Sequence, residues 1–134
     1  MFRNLLLILI IPFFAAAGIT KGEIEFRSEK DFFNKSENVC FYLKNNSEED
    51  IYLPSSAPWA VFEDKQFEKV VFSPVATQSI VKIKPHQSKK WCWEQKDFKN
   101  EQVPSGEYTI RLTVFKKGKR IFLTSMVKIN NSMK

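Results

Sequence analysis

The chain has 134 residues, of which 43% are hydrophobic, 14% aromatic and 27% charged, and its formal net charge is +6. This length suits one domain with a large aromatic core and leaves little room for a second. The excess positive charge is scattered over short predicted loops. No basic helical face or aromatic–basic ladder occurs, so the composition argues against a nucleic-acid partner.

Residues 1–17 are typical of a secretory signal peptide. Arg3 supplies a basic start, residues 5–14 are almost entirely apolar, and a run of three alanines ends at Ala17. Cleavage there leaves a mature domain of residues 18–134, which we expect to be secreted or held in the cell envelope. The apolar run is shorter than the about 20 residues of a membrane-spanning helix. Membrane contact is therefore expected only if this segment stays uncleaved.

The rest of the sequence is a succession of short strands separated by turns. Alternating apolar residues predict strands at residues 24–26, 39–43, 51–53, 59–63, 70–72, 81–83, 91–93, 108–114 and 121–129. No helical period is sustained, and no long linker divides the chain. The pattern predicts an all-β fold, namely an antiparallel immunoglobulin-like β-sandwich of about seven to nine strands in two sheets.

A proline-bounded loop before the fourth predicted strand is the best candidate for a binding loop. The sequence Ser55-Ser56-Ala57-Pro58-Trp59 places an aromatic side chain beside a rigid proline, a combination that anchors protein partners well. Pro58 and Trp59 are therefore the candidate binding residues. Trp59 also fits a second interpretation, as the first core residue of the following strand.

The two cysteines lie at positions that favour a disulfide. Cys40 and Cys92 each stand between two apolar residues in a predicted strand, so both sulfurs point outward if those neighbours face the core. The two strands are expected to be antiparallel neighbours, in which facing Cα atoms lie about 4.5–5.5 Å apart, within reach of a disulfide. An export signal makes oxidation reasonable. A pair of free thiols is the alternative.

Three further residues are predicted to be structural. Trp93 belongs to the core face of its strand, and Gly106 ends a turn that leads into Tyr108. That order is the arrangement of a tyrosine corner, in which a tyrosine hydroxyl bonds to upstream backbone. The second cysteine of an immunoglobulin domain would follow two residues later, where this chain has Ile110, so that inter-sheet bridge is absent.

The sequence contains no recognisable catalytic or metal-binding constellation. Its one histidine, His86, lies in a predicted turn, and no nucleophile elbow, zinc-peptidase motif or glycine-rich phosphate loop occurs. Glu94, Asp97 and Glu101 cluster around a predicted exposed turn, where solvation explains them. We therefore expect no enzymatic activity, no catalytic residue, no metal and no cofactor.

Four short motifs follow one another in an order shared with a known family. They are residues 39–45, 83–88, 93–97 and 103–108. In this order they resemble the BsuPI-type family, which is named for a Bacillus intracellular proteinase inhibitor. The resemblance covers roughly residues 36 to 115 and implies an immunoglobulin-like β-sandwich with an inhibitor-like role. It assigns no inhibitory site.

These features together predict an exported, non-enzymatic binding module that engages an extracytoplasmic protein. A proteinase-inhibitor-like domain acting on a peptidase is the version that the resemblance implies. The alternative is a structural or assembly component of a cell-surface complex, in which an edge strand pairs with a partner.

Overall fold

Ten strands and no helix make up the regular structure of residues 23–130, the part of the chain that the computed structural model describes. The strands are β1 (Ile24–Ser28), β2 (Phe32–Asn34), β3 (Val39–Asn45), β4 (Ile51–Leu53), β5 (Trp59–Phe62), β6 (Val70–Phe72), β7 (Val81–Ile83), β8 (Ser88–Trp93), β9 (Gly106–Lys116) and β10 (Lys119–Asn130). The signal peptide predicted for residues 1–17 lies outside the described residues. Among those residues there is no helix with the length and hydrophobicity of a membrane span.

The strands form two sheets of unequal size. Sheet I has three strands in the order β1-β3-β8, whereas sheet II has seven strands, with the order β2-β10-β9-β4-β7 and with β5 pairing to both β9 and β6. The inner faces of the two sheets pack together, as alternating burial along the strands requires. The chain is thus an all-β, immunoglobulin-like β-sandwich, as the sequence predicts.

The core lies between the sheets and is rich in aromatic side chains. Phe41 from sheet I meets Trp59 from sheet II with ring centroids 5.0 Å apart and nearly perpendicular planes, the edge-to-face geometry that aromatic pairs prefer. The buried apolar residues are Phe33, Val39, Phe41, Leu43, Ile51, Leu53, Trp59, Val61, Val71, Ile83, Trp93, Val103, Tyr108, Ile110, Leu112, Val114, Val127 and Ile129. Every strand except β1 contributes at least one member, and the partly buried Ile24 and Phe26 of β1 pack against this core.

The short strand β2 differs from the prediction in two ways. The sequence pattern missed it, so the described residues contain ten strands where about seven to nine were expected. It also runs parallel to β10, with Phe33 opposite Ile129, so the sheets are not antiparallel throughout. Three residues are too few for a period-two pattern to be recognised. The strand forms because Phe33 is buried in the core and because its backbone can pair with the edge of β10.

Candidate binding surface

Cys40 and Cys92 form the predicted disulfide. They are direct partners in the antiparallel register of β3 and β8, and their Cα atoms lie 4.0 Å apart. The bridge lies on the outer face of sheet I, where Cys92 is exposed and Cys40 is largely covered. Disulfides persist in oxidising compartments, so the bridge is typical of an extracytoplasmic protein.

Trp59 lies in the core, and the prediction of an exposed anchor at this position is wrong. Its side chain is only 6% exposed and packs against Phe41 and Phe72. The structure agrees instead with the second interpretation, in which Trp59 is the first core residue of its strand. The indole Nε1 is buried and has no hydrogen-bond partner within residues 23–130, which costs about 1–3 kcal/mol of unfolding free energy.

The loop that precedes Trp59 is held in place by several hydrogen bonds. The indole Nε1 of Trp91 donates to the carbonyl of Ser56 at 3.0 Å, and the backbone N–H of Ser56 donates to the carbonyl of Thr77 at 3.2 Å. The backbone N–H of Thr113 donates to the carbonyl of Pro58 at 3.0 Å. Pro58 is therefore part of a fixed, half-buried wall.

Trp93, Gly106 and Tyr108 together build the corner between sheets. The Tyr108 hydroxyl donates to the carbonyl of Pro104 at 2.6 Å, which is the hydrogen bond that defines a tyrosine corner. The Trp93 ring is buried against the Tyr108 ring, and its Nε1 donates to the carbonyl of Lys96 at 2.9 Å. Gly106 has a φ of +151°, a backbone conformation that residues with a Cβ atom rarely adopt. The turn therefore requires glycine at this position.

The phenol of Tyr108 is neutral over a wide pH range. Burial, and to a smaller extent the charge of Glu63, raises the pKa of Tyr108 from 10.0 to about 12. Its proton is committed to the carbonyl of Pro104. The residue is therefore part of the architecture rather than a group that exchanges protons near neutral pH.

Two buried amides also serve the architecture, although no sequence pattern indicated their roles. The Asn45 side chain donates to the carbonyls of Glu49 and Ile83 at 2.8 and 3.0 Å. The Gln95 side chain donates to the carbonyls of Asn34 and Glu37 at 2.8 and 2.9 Å. Each amide ties a loop to a neighbouring strand, because a buried backbone carbonyl needs a donor. The motif residues 39–45 and 93–97 are thus explained by the fold.

The acidic cluster and the histidine occupy exposed turns. One carboxylate oxygen of Asp97 accepts the backbone N–H groups of Lys99 and Glu101 at 2.9 and 3.0 Å, so Asp97 closes its own turn. His86 is exposed and lies 3.6 Å from the carboxylate of Glu48. Among the described residues, no three histidine, cysteine, aspartate or glutamate side chains come together as a metal site would need.

The outer face of sheet II carries a cluster that the sequence did not reveal. The guanidinium of Arg111 on β9 lies over the rings of Phe62, Phe67 and Phe122, at 4.9, 4.9 and 4.4 Å from their centroids. Cation–π attraction holds the guanidinium in place. Phe122 is 46% exposed, and Arg120 covers the same ring at 5.0 Å. We call Arg111 and these three phenylalanines the arginine–phenylalanine cluster.

A groove adjoins this cluster and shares Arg111 with it. The groove has a volume of about 370 Å³ and is lined by residues of β5 and β9 and by the loops at residues 54–58 and 73–78. Pro54, Pro58 and Pro74 stiffen its sides. We call it the proline groove. The loop predicted to bind a partner thus contributes to a candidate site through Pro58, while Trp59 supports the groove from the core.

Arg111 has no carboxylate partner within residues 23–130. The ion pairs among residues 23–130 involve other basic residues, and the guanidinium contacts only the three rings. A planar cation that is held by aromatic rings and free of counter-charge is suited to bind a carboxylate in a two-pronged manner. The arrangement therefore favours recognition of an acidic group, and it provides no nucleophile or proton relay.

The fold and the site define an immunoglobulin-like β-sandwich domain with a disulfide on one sheet and a basic, aromatic groove on the other. No family model matches the chain, and no curated protein matches it. Among solved structures, the chain is similar to the alkylpurine DNA glycosylase AlkC of Pseudomonas fluorescens, with 10% identity over 81% of this chain and 30% of that chain and a TM-score of 0.44.

Two further solved structures show similarities of the same low level. The PapD-like domain 7 of human CEP192 has 12% identity over 98% of this chain and 99% of that domain, with a TM-score of 0.42. A β-glucosidase from Listeria innocua has 14% identity over 81% of this chain and 16% of that chain, with a TM-score of 0.34. The chain therefore spans less than a third of the glycosylase and less than a fifth of the glucosidase. At this level the similarities support no functional argument.

Proposed function

We propose that the chain is an exported, non-enzymatic protein-binding domain whose partner docks on the outer face of sheet II. The observation that carries this proposal is the guanidinium of Arg111, which three phenyl rings hold at the edge of the proline groove. A partner would place a carboxylate on Arg111 and an apolar side chain in the groove.

The energetics of protein interfaces support this surface. Arginine and aromatic residues contribute most of the binding free energy at many interfaces, especially where they are ordered before the partner arrives. Arg111 is ordered by its rings, and Phe122 offers exposed apolar area beside it. The net charge of +6 would also attract an acidic partner over distance.

Export of the domain is supported by two independent features. The Cys40–Cys92 disulfide is typical of an oxidising compartment. The sequence of residues 1–17 has the basic, apolar and small-residue order of a signal peptide. The domain of residues 18–134 would then be secreted or held in the cell envelope.

The resemblance to the BsuPI-type family supports a more specific version, in which the partner is a peptidase. The motif residues that carry this resemblance, such as Asn45, Trp93, Gln95 and Tyr108, are engaged within the fold. An inhibitory contact would therefore have to come from the proline groove and the arginine–phenylalanine cluster.

Comparative capture with matched variants tests the proposal. Wild-type protein, Arg111→Gln and Lys82→Gln would each be used to capture partners from an envelope extract of the host, and captured proteins would be titrated by calorimetry. Lys82 also lies in sheet II, and its removal gives the same change of charge as the loss of Arg111. We expect Arg111→Gln to lose the partner and Lys82→Gln to keep it. Equal binding by all three proteins would contradict the proposal.

Peptidase assays separate the inhibitor version from simple binding. Captured peptidases would be assayed with and without the domain, and inhibition should disappear with Arg111→Gln. If the domain binds a peptidase without changing its activity, the binding proposal stands and the inhibitor version is rejected.

A structural or assembly role is the second candidate, and it is favoured by the edge of β7, which pairs with no further strand of the described residues. β7 is the last strand in the order of sheet II, and Ile80 directly before it is 73% exposed. An apolar residue beside an unpaired edge suits strand addition by a partner. Ile80→Lys should abolish assembly in this case and leave capture through Arg111 unchanged.

A further inference from the structure

We propose that two copies of this chain associate through their β1 strands, which pair antiparallel and join two copies of sheet I into one continuous sheet. This dimer does not depend on the binding surface proposed above, since β1 belongs to sheet I and the arginine–phenylalanine cluster belongs to sheet II.

The first observation is the unpaired edge of β1. In the order β1-β3-β8, β1 pairs with β3 on one side and with no strand of the described residues on the other. An edge strand exposes backbone N–H and C=O groups that can accept another strand.

The second observation is an apolar groove beside that edge. Its volume is about 770 Å³, and its apolar lining comes from Ile24 and Phe26 of β1 and from Ile121 and Leu123 of β10, all of them only partly buried. A fourth strand added to sheet I beside β1 would lie over Ile121 and Leu123. It would complete the core at the place where the two sheets separate.

The two sheets meet again at the other end of β1, which defines the length of the groove. The hydroxyls of Ser28 and Ser125 lie 2.8 Å apart and link β1 to β10. The groove therefore lies between the Ser28–Ser125 contact at one end and the Glu23–Lys116 ion pair at the other. It has room for a short strand, and β1 itself has five residues.

The third observation identifies the occupant, because the charges of β1 are complementary to those of a second β1. In an antiparallel pair centred on Phe26, residues 24 and 28 face each other, as do residues 25 and 27. Glu25 and Arg27, which form an ion pair with each other within one chain at 2.9 Å, then lie opposite Arg27 and Glu25 of the partner subunit, and the four charges form one alternating group. On the inner face Phe26 meets Phe26 of the partner subunit.

The registers centred on the two neighbouring residues each place like charges in direct opposition at their centre. Centring the pair on Glu25 places the two Glu25 carboxylates opposite each other, and centring it on Arg27 does the same to the two guanidinium groups. Like charges in direct opposition destabilise a strand pair. A register centred between two residues would pair an inner-face residue with an outer-face residue of the partner subunit. Apolar side chains would then turn to the outer face. The sequence Ile24-Glu25-Phe26-Arg27-Ser28 therefore selects the pair centred on Phe26.

Charge-reversal variants test this geometry. Their mass would be measured by sedimentation velocity on protein purified from the native host, so that the N-terminus is the natural one. We expect wild-type protein to reach twice the monomer mass as its concentration rises. Glu25→Arg and Arg27→Glu should each remain monomeric, because each creates two like-charge pairs. The chain with both substitutions should dimerise again, since it restores the opposite charges in reversed positions.

A mixture of the two single variants provides the sharpest result. One chain then carries two arginines and the other two glutamates at positions 25 and 27, so the mixture should form a heterodimer although neither variant dimerises alone. Asp50→Lys, which reverses a charge directly before β4, is the matched control and should dimerise like wild type. Near-ultraviolet circular dichroism checks that each variant is folded.

Three outcomes would overturn the proposal. Wild-type protein that stays monomeric at every concentration excludes the dimer. Single charge reversals that dimerise as well as wild type place any association elsewhere. A mixture that remains monomeric, although both variants are folded, rejects the register centred on Phe26.

Discussion

Loss of the Cys40–Cys92 bridge should be the most damaging change on the outer face of sheet I. The bridge joins two residues that are 52 positions apart in the sequence. It therefore restricts a long segment of the unfolded chain. The chain-entropy relation for a loop of this length gives about 4 kcal/mol of unfolding free energy, and native bridges in small exported domains contribute about 2–5 kcal/mol. We expect the Cys40→Ala, Cys92→Ala double variant to lose an amount in that range.

Equilibrium unfolding in urea measures this loss, and it offers an internal check. Wild-type protein in excess reductant should unfold at the same urea concentration as the double variant, because both lack the same bridge. The matched control replaces Tyr42 and Lys90 with alanine. They face each other on the same two strands without a covalent link and should cost less than about 1 kcal/mol.

Two results would refute the reasoning about the bridge. A double variant as stable as wild type would mean that the unfolded chain is not restricted by the bridge. A control variant that loses as much as the double variant would mean that packing on the outer face, and not the covalent link, supplies the stability.

Further predictions concern the core, the corner and the N-terminal segment. Trp59→Ala should lower the unfolding free energy by about 3–5 kcal/mol in chemical denaturation, because the side chain is buried; a loss below about 1 kcal/mol would contradict its core position. Tyr108→Phe should cost about 1–3 kcal/mol, since the carbonyl of Pro104 loses its donor, and a variant that unfolds with wild type would exclude this role. Folding raises the pKa of Tyr108 from 10.0 to about 12, so its phenol contributes stability that is complete below about pH 10 and lost as pH rises through about 12. Denaturation at increasing pH should show this loss in wild type and not in Tyr108→Phe. N-terminal sequencing of protein from the native host should find Gly18 as the first residue, and an intact Met1 on a cytosolic protein would reject the signal peptide.

The sequence predicts the features that depend on neighbours along the chain. Alternation of apolar residues marks nine of the ten strands, and it also places Cys40 and Cys92 on matching positions of two strands. The turn before Tyr108 predicts the corner because the whole arrangement spans a few residues. These features depend on residues that are close together in the sequence, so they can be predicted from the sequence alone.

Features that join distant strands could not be predicted in the same way. The arginine–phenylalanine cluster unites Phe62, Phe67, Arg111 and Phe122, which come from three strands and a turn. Its formation depends on the register of β9 with β5 and β10, and no single segment contains that information. Trp59 was ambiguous for a related reason. It is the first residue of its strand, so no preceding strand residue shows whether its side chain faces the core or the solvent.

The pairing of β2 with β10 has a consequence for the order in which the domain is built. The hairpin of β9 and β10 is local and can form early, whereas the β2–β10 pair joins residues from opposite ends of the described chain. Distant contacts form late, because a long loop must close before they contribute. Sheet II is therefore complete only after residues 128–130 have emerged. Until β10, the last strand of the described residues, is available, the domain therefore remains open along this edge of sheet II.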